Sequence, residues 1–156
     1  EMRENVLVTL VDVEYLFKNT YLKTLIFMLG RKFKLDTDTN IAMLPIVAFS
    51  QKQQLYIYDT PVIASDDQSC VEWRCIELAE FKKLINSMQT KLICALTVWK
   101  TNHIEITSQI ENIYDKNLLK IVSTVFTPGS IKSLITKTYN VLKTSDIIMT
   151  VVNDKI

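Results

Sequence analysis

The sequence predicts an α/β fold: a three-layer, Rossmann-like domain with a mainly parallel sheet, one short antiparallel edge strand and helices on both faces. Three observations lead there. A β-branched and leucine-rich run at residues 6–13 (VLVTLVDV) reads as a strand that ends near an acid, Asp12. Two long segments, at 21–33 and 76–99, carry apolar residues at helical spacing. Further apolar runs at 44–50, 118–126 and 147–152 alternate with helices, the order that right-handed crossovers in a parallel sheet produce.

Each element follows from its local pattern. Residues 6–13 have few polar interruptions, as in a strand buried on both faces. Between 21 and 33 an apolar stripe is made by Tyr21, Leu22, Leu25, Ile26, Met28, Leu29 and Phe33. Lys23, Arg31 and Lys32 fall outside that stripe, and Gly30 is expected to loosen the end of the helix. Residues 36–40 are polar and read as a turn. Pro45 cannot donate to a ladder, which places the next strand core at 44–50. After a polar turn at 51–54 comes LYIYD (55–59). It is too close to its predecessor for a crossover, so it is expected as an antiparallel edge strand in a hairpin.

Residues 60–69, with Asp66 and Asp67 adjacent, read as an exposed acidic loop that runs on to Trp73. The clearest helix follows, on Leu78, Phe81, Leu84, Ile85, Met88, Leu92, Ala95, Leu96 and Trp99. Residues 104–116 fit either a short strand or a polar helix. Residues 118–126 (LLKIVSTVF) read as a strand, Pro128 and Gly129 as a turn, and Ser130 as the N-cap of a helix through Leu142. Residues 147–152 are the expected last strand, with Asp154 beyond it.

At 156 residues the chain has the size of one domain, and 48% hydrophobic residues can fill a core. The net charge of +1 argues against a broad phosphate-binding surface, though not against a small basic patch. The three cysteines, Cys70, Cys75 and Cys94, are odd in number, and His103 is the sole histidine. That disfavours a tetrahedral zinc site and suits reduced thiols inside a cell. No leader and no apolar run of about 20 residues is visible. The expectation is a nuclear or cytoplasmic protein, neither secreted nor in a membrane.

Open α/β sheets bind ligands at their carboxyl edge. Asp12, Glu14, Asp59, Asp66, Asp67 and Asp154 are the acids that could converge there around Mg²⁺. Against this, Val13, Tyr15, Leu16 and Phe17 are bulky neighbours for a hydrated cation. A phosphate loop is excluded, because DVEYLFKNT (12–20) contains no glycine. No nucleophile elbow occurs, and His103 reads as a helix-end or surface residue. Trp99 reads as core. Trp73, with Arg74 beside it, is the candidate for contacting a partner, since tryptophan is enriched in interface hot spots, and it reads equally as a packing anchor. Lys132, Lys137 and Lys143 read as a solvated helix face.

Three stretches carry a family resemblance: VLVTLVDVEYLFKN, NIAMLPIVAFSQKQQLYIYD and LLKIVSTVFTPGSIKSLITKTYNVLKTSDIIMTVVND. Together they resemble the von Willebrand A (vWA) domain, and most of all its branch in the smaller vWA-containing subunit of the transcription and DNA-repair factor TFIIH. The resemblance implies a single vWA-like domain over 1–156, without the last strand and helix or the zinc-binding tail. Metal-binding vWA domains carry Asp-x-Ser-x-Ser. Here the positions after Asp12 are Glu14 and Leu16, so the resemblance implies no metal, no cofactor and no enzyme activity. It implies a protein-interaction scaffold in a nuclear complex. The partner would be the other vWA-containing TFIIH subunit, with no direct nucleic-acid binding. The alternative from the residues is a PIN-like, metal-dependent nuclease with Asp12, Glu14, Asp59 and Asp154 as ligands.

Overall fold

The computed structural model describes residues 7–33, 46–49, 52–59 and 72–143. The chain enters its first helix through a cap. Thr9 is extended, with φ −122° and ψ 173°, and α1 runs over Leu10–Lys18. The Thr9 amide donates to Asp12 Oδ2 at 2.8 Å, and the Thr9 hydroxyl approaches the same oxygen at 3.4 Å. This Thr-x-x-Asp arrangement is a helix-start signal. It sits inside the run that was expected to be a strand at 6–13, and it decides the outcome. Helical spacing then buries Val13 and Leu16 beside Asp12.

Helix α2 covers Tyr21–Phe33, as its stripe predicts, and buries Leu25, Met28, Leu29 and Phe33. Thr20 opens it by accepting the Lys23 amide on its hydroxyl at 3.3 Å. Gly30 does not loosen the helix. It is buried, and a Cβ built there would stand 2.7 Å from Val141 Cγ1. The glycine therefore marks where another helix crosses closely.

Three short strands follow: β1 Ile46–Ala48, β2 Leu55–Asp59 and β3 Glu72–Cys75. They form an antiparallel sheet in the order β1-β2-β3. The expected hairpin is present, with Ile46 opposite Ile57 and Ala48 opposite Leu55. LYIYD is its central strand, however, not its edge. Residues 72–75, expected as loop, add a third strand with Tyr56 opposite Cys75 and Tyr58 opposite Trp73.

The long helix α3, Leu78–Thr101, buries Phe81, Leu84, Ile85, Met88, Leu92 and Leu96, all on the expected face. Helix α4 spans Ser108–Val122, and the Thr107 hydroxyl caps it by accepting the Ile110 amide. The strand expected at 118–126 is therefore the end of this helix and the loop after it. The correction has a local cause. Apart from Lys120, its buried or half-buried positions are Ile110, Ile113, Tyr114, Asn117, Leu118 and Ile121, which recur at helical spacing. Helix α5 spans Pro128–Leu142 with Pro128 at its first position. Its cap is Thr127. Ser130, expected as the cap, sits three residues on and accepts the Thr127 amide at 2.8 Å.

The predicted fold class is overturned. Among the described residues the protein is mainly helical, and its only sheet is the small antiparallel one. The segments expected as a loop at 60–69 and as a last strand at 147–152 lie outside the described residues. One apolar cluster links all five helices with β1 and β2. Helix α2 packs on α5 and α1, α3 packs on α1, α4 and α5, and α5 also meets β1. The Tyr139 hydroxyl fixes that last contact by donating to the Phe49 carbonyl at 3.2 Å.

Candidate binding cleft

The acids singled out from the sequence do not assemble into a site. Asp12 is fully buried, and its carboxylate also takes the Arg31 guanidinium, Nε at 3.3 Å and Nη2 at 2.5 Å. Glu14 is exposed and lies two residues further along α1, about 200° around the helix from Asp12. Asp59 ends β2, and Asp66, Asp67 and Asp154 lie outside the described residues. Among the described residues no three His, Cys, Asp or Glu side chains are placed to share a metal ion. The vWA-like picture of Asp12 at a sheet edge is corrected accordingly: Asp12 belongs to a helix start.

Trp73 and Arg74 are in β3 and not in a loop. Both are half-buried, and the Trp73 ring meets Phe49 edge-on at 6.1 Å. Arg74 forks onto Glu80, with contacts of 2.8 Å and 2.6 Å. This hydrogen bonding from Arg74 holds the Glu80 carboxyl down to about 2, and the Glu77 amide adds to it. The pair thus ties β3 to the start of α3. His103 closes the other end of α3, its Nδ1 2.8 Å from the Trp99 carbonyl. Trp99 packs against the core and meets Phe17 edge-on at 4.8 Å.

A different group of residues comes together where α1 gives way to α2. The turn between them is only Asn19 and Thr20. Asn19 holds it by donating its side-chain amide to the Tyr15 carbonyl at 3.0 Å. Lys120 reaches across from α4 and donates to the carbonyls of Leu16 at 2.7 Å and Asn19 at 3.2 Å, with Phe17 at 3.5 Å. A lysine at a helix C-terminus satisfies orphan carbonyls and complements the helix dipole. Burial, followed by the charge of Lys116, lowers the Lys120 pKa below the ordinary lysine value.

Around this junction lies a cavity of about 510 Å³ walled by Lys18, Lys23, Lys116 and Lys120, with Thr20 and Thr124. Among the described residues no carboxylate lines it. A second, larger groove of about 710 Å³ adjoins it and shares Asn19 and Lys23. That groove is mostly apolar, with walls from Tyr15, Ile26, Phe27 and Val141. The Tyr15 and Phe27 rings stack face to face at 4.0 Å, with planes 2° apart. The two depressions make one cleft, with a cluster of lysines at one end and an aromatic groove, also lined by Arg31, at the other.

Sequence reasoning missed this cleft. Its lysines lie about a hundred positions apart in pairs, and only the fold unites them. One local signal was available: once 108–122 is a helix, Lys116 and Lys120 fall one turn apart on the same side. No protein-family model, curated protein or solved structure matches this chain. Among the described residues no helix is long and apolar enough to cross a membrane.

Proposed function

We propose that this domain is a non-catalytic protein-interaction module that docks an acidic, apolar-bearing segment of a partner in the cleft of α1, α2, α4 and α5. The observation that carries this reading is the contiguity of the lysine cavity with the aromatic groove. Apolar side chains of a bound segment would be desolvated in the groove, where most of the affinity arises. The lysines would set orientation and speed the encounter. The polar groups singled out from the sequence support a scaffold role in another way. Asp12, Arg74 and His103 each engage a neighbour that holds the fold. The TFIIH partner rested on a vWA layout that the antiparallel sheet does not provide, so the partner is defined here by its chemistry. The nuclease alternative loses Asp12, whose carboxylate is committed to Arg31.

Display of random peptides against the whole chain tests the reading. Enriched sequences are expected to combine Asp or Glu with Leu, Phe or Trp. They should lose affinity for Lys18→Glu and Lys23→Glu, which alter exposed side chains and leave the core intact. Ile26→Ser, in the groove, should weaken them as well. Enrichment that ignores charge, or binding untouched by all three changes, would overturn the proposal.

A further inference from the structure

We infer that the lysine cavity is a phosphoryl-binding site, so that docking of the partner segment, on the reading above, is switched on by its phosphorylation. Four lysines from three elements line a space that, among the described residues, no acid lines. One carboxylate would offset a single lysine. A phosphate monoester brings close to two negative charges and three acceptor oxygens into the same volume, and lysine ammoniums match such a group as compact point charges.

The backbone adds to the lysines. Helix α2 begins at the cavity and has no acidic residue in its first turn. Thr20 occupies the Lys23 and Thr24 amides with its hydroxyl and carbonyl, which leaves the Tyr21 and Leu22 amides as the open donors of the helix start. The opposing dipole is already answered. The carbonyls at the end of α1 would repel an anion, but Lys120 Nζ covers them. Because the cavity shares Asn19 and Lys23 with the groove, a phosphoryl group seated among the lysines directs the adjoining residues onto Ile26 and Phe27.

The test compares one displayed peptide in three forms, bearing serine, phosphoserine or glutamate at the acidic position, by fluorescence anisotropy on the whole chain. Phenyl phosphate is titrated separately and followed by backbone amide NMR. Phosphoserine is expected to bind at least about tenfold tighter than serine or glutamate. Lys23→Gln and Lys116→Gln should remove that advantage, so that each variant binds the phosphoserine and glutamate peptides alike. Phenyl phosphate should shift the Tyr21 and Leu22 amides. Phosphoserine binding no tighter than glutamate, with both tighter than serine and weakened by Ile26→Ser, overturns the phosphoryl site and leaves the docking reading standing. Amide shifts with phenyl phosphate but no binding of any peptide support the site and overturn docking. Preference for vesicles with anionic phosphate headgroups over the phosphopeptide also overturns the phosphopeptide inference.

Discussion

Asp12 is a charged group with no solvent contact, and its donors explain how it can be there. It accepts from the Thr9 amide and from two nitrogens of Arg31, so its charge is both hydrogen-bonded and paired. Replacing it with alanine removes the cap of α1 and leaves Arg31 without its carboxylate. The expected loss is about 1–3 kcal/mol, a cap plus a charge-assisted hydrogen bond. Since the Arg31 side chain is 38% exposed, solvent can take over part of its pairing, which keeps the loss below that of a wholly buried pair. A urea titration of Asp12→Ala, Arg31→Met and the double variant would measure the coupling. Additive effects would contradict the pairing. Glu80 supplies a pH test at the same scale. Its folded pKa is about 2, against an ordinary 4.5. A depressed carboxylate contributes stability that is present in full above pH 4.5 and is lost as pH falls towards 2. Acid unfolding followed by circular dichroism should therefore be less steep across that window in Glu80→Gln. An unchanged profile would show that Arg74 and Glu80 are not coupled in solution.

At the scale of elements, helix α2 and helix α5 meet at Gly30. Alanine there would gain up to about 1 kcal/mol of helix propensity in isolation. Its Cβ would stand 2.7 Å from Val141 Cγ1, and a short β-branched side chain cannot swing away. Overpacking of this kind costs about 1–3 kcal/mol. Gly30→Ala is thus expected to lower the denaturant midpoint, and Val141→Ala in the same chain should restore it. A rise in the midpoint for the single variant would sink the close-crossing account. The same elements show what the sequence makes legible. Helices α2, α3 and α5 could be read because their apolar residues recur along one face over several turns. Helix α1 could not, and for α4 the sequence left strand and helix open at 104–116 and favoured a strand at 118–126. Each overlaps a run, VLVTLVDV or LLKIVSTVF, whose β-branched residues resemble a buried strand. In each case a short polar signal at the start, Thr9 with Asp12 or Thr107 with the Ile110 amide, outweighs that preference. Strand propensity depends on a neighbouring strand to pack against, and here none adjoins these runs among the described residues.

The lysine end of the candidate cleft was illegible for a reason that belongs to the whole molecule: it exists only because α4 returns to the end of α1. Lys120 makes that return specific, with hydrogen bonds spanning 104 and 101 positions of sequence. A lysine seen in sequence beside Lys116 looks like part of a solvated face. In the fold its ammonium is partly withdrawn from water and aimed at backbone carbonyls. The two lysines should therefore behave differently. Lys120→Met keeps the apolar stem but leaves the carbonyls of Leu16 and Asn19 without their donor, an expected loss of about 1–3 kcal/mol. Lys116→Met changes an exposed side chain and removes a like charge facing Lys120, so stability should move by no more than about 0.5 kcal/mol, with any change upward. Hydrogen exchange should locate the effect: faster exchange at the end of α1 in Lys120→Met, unchanged exchange there in Lys116→Met. If the two variants lose the same stability, Lys120 is a surface charge like its neighbour, and the end of α1 is held by apolar packing alone.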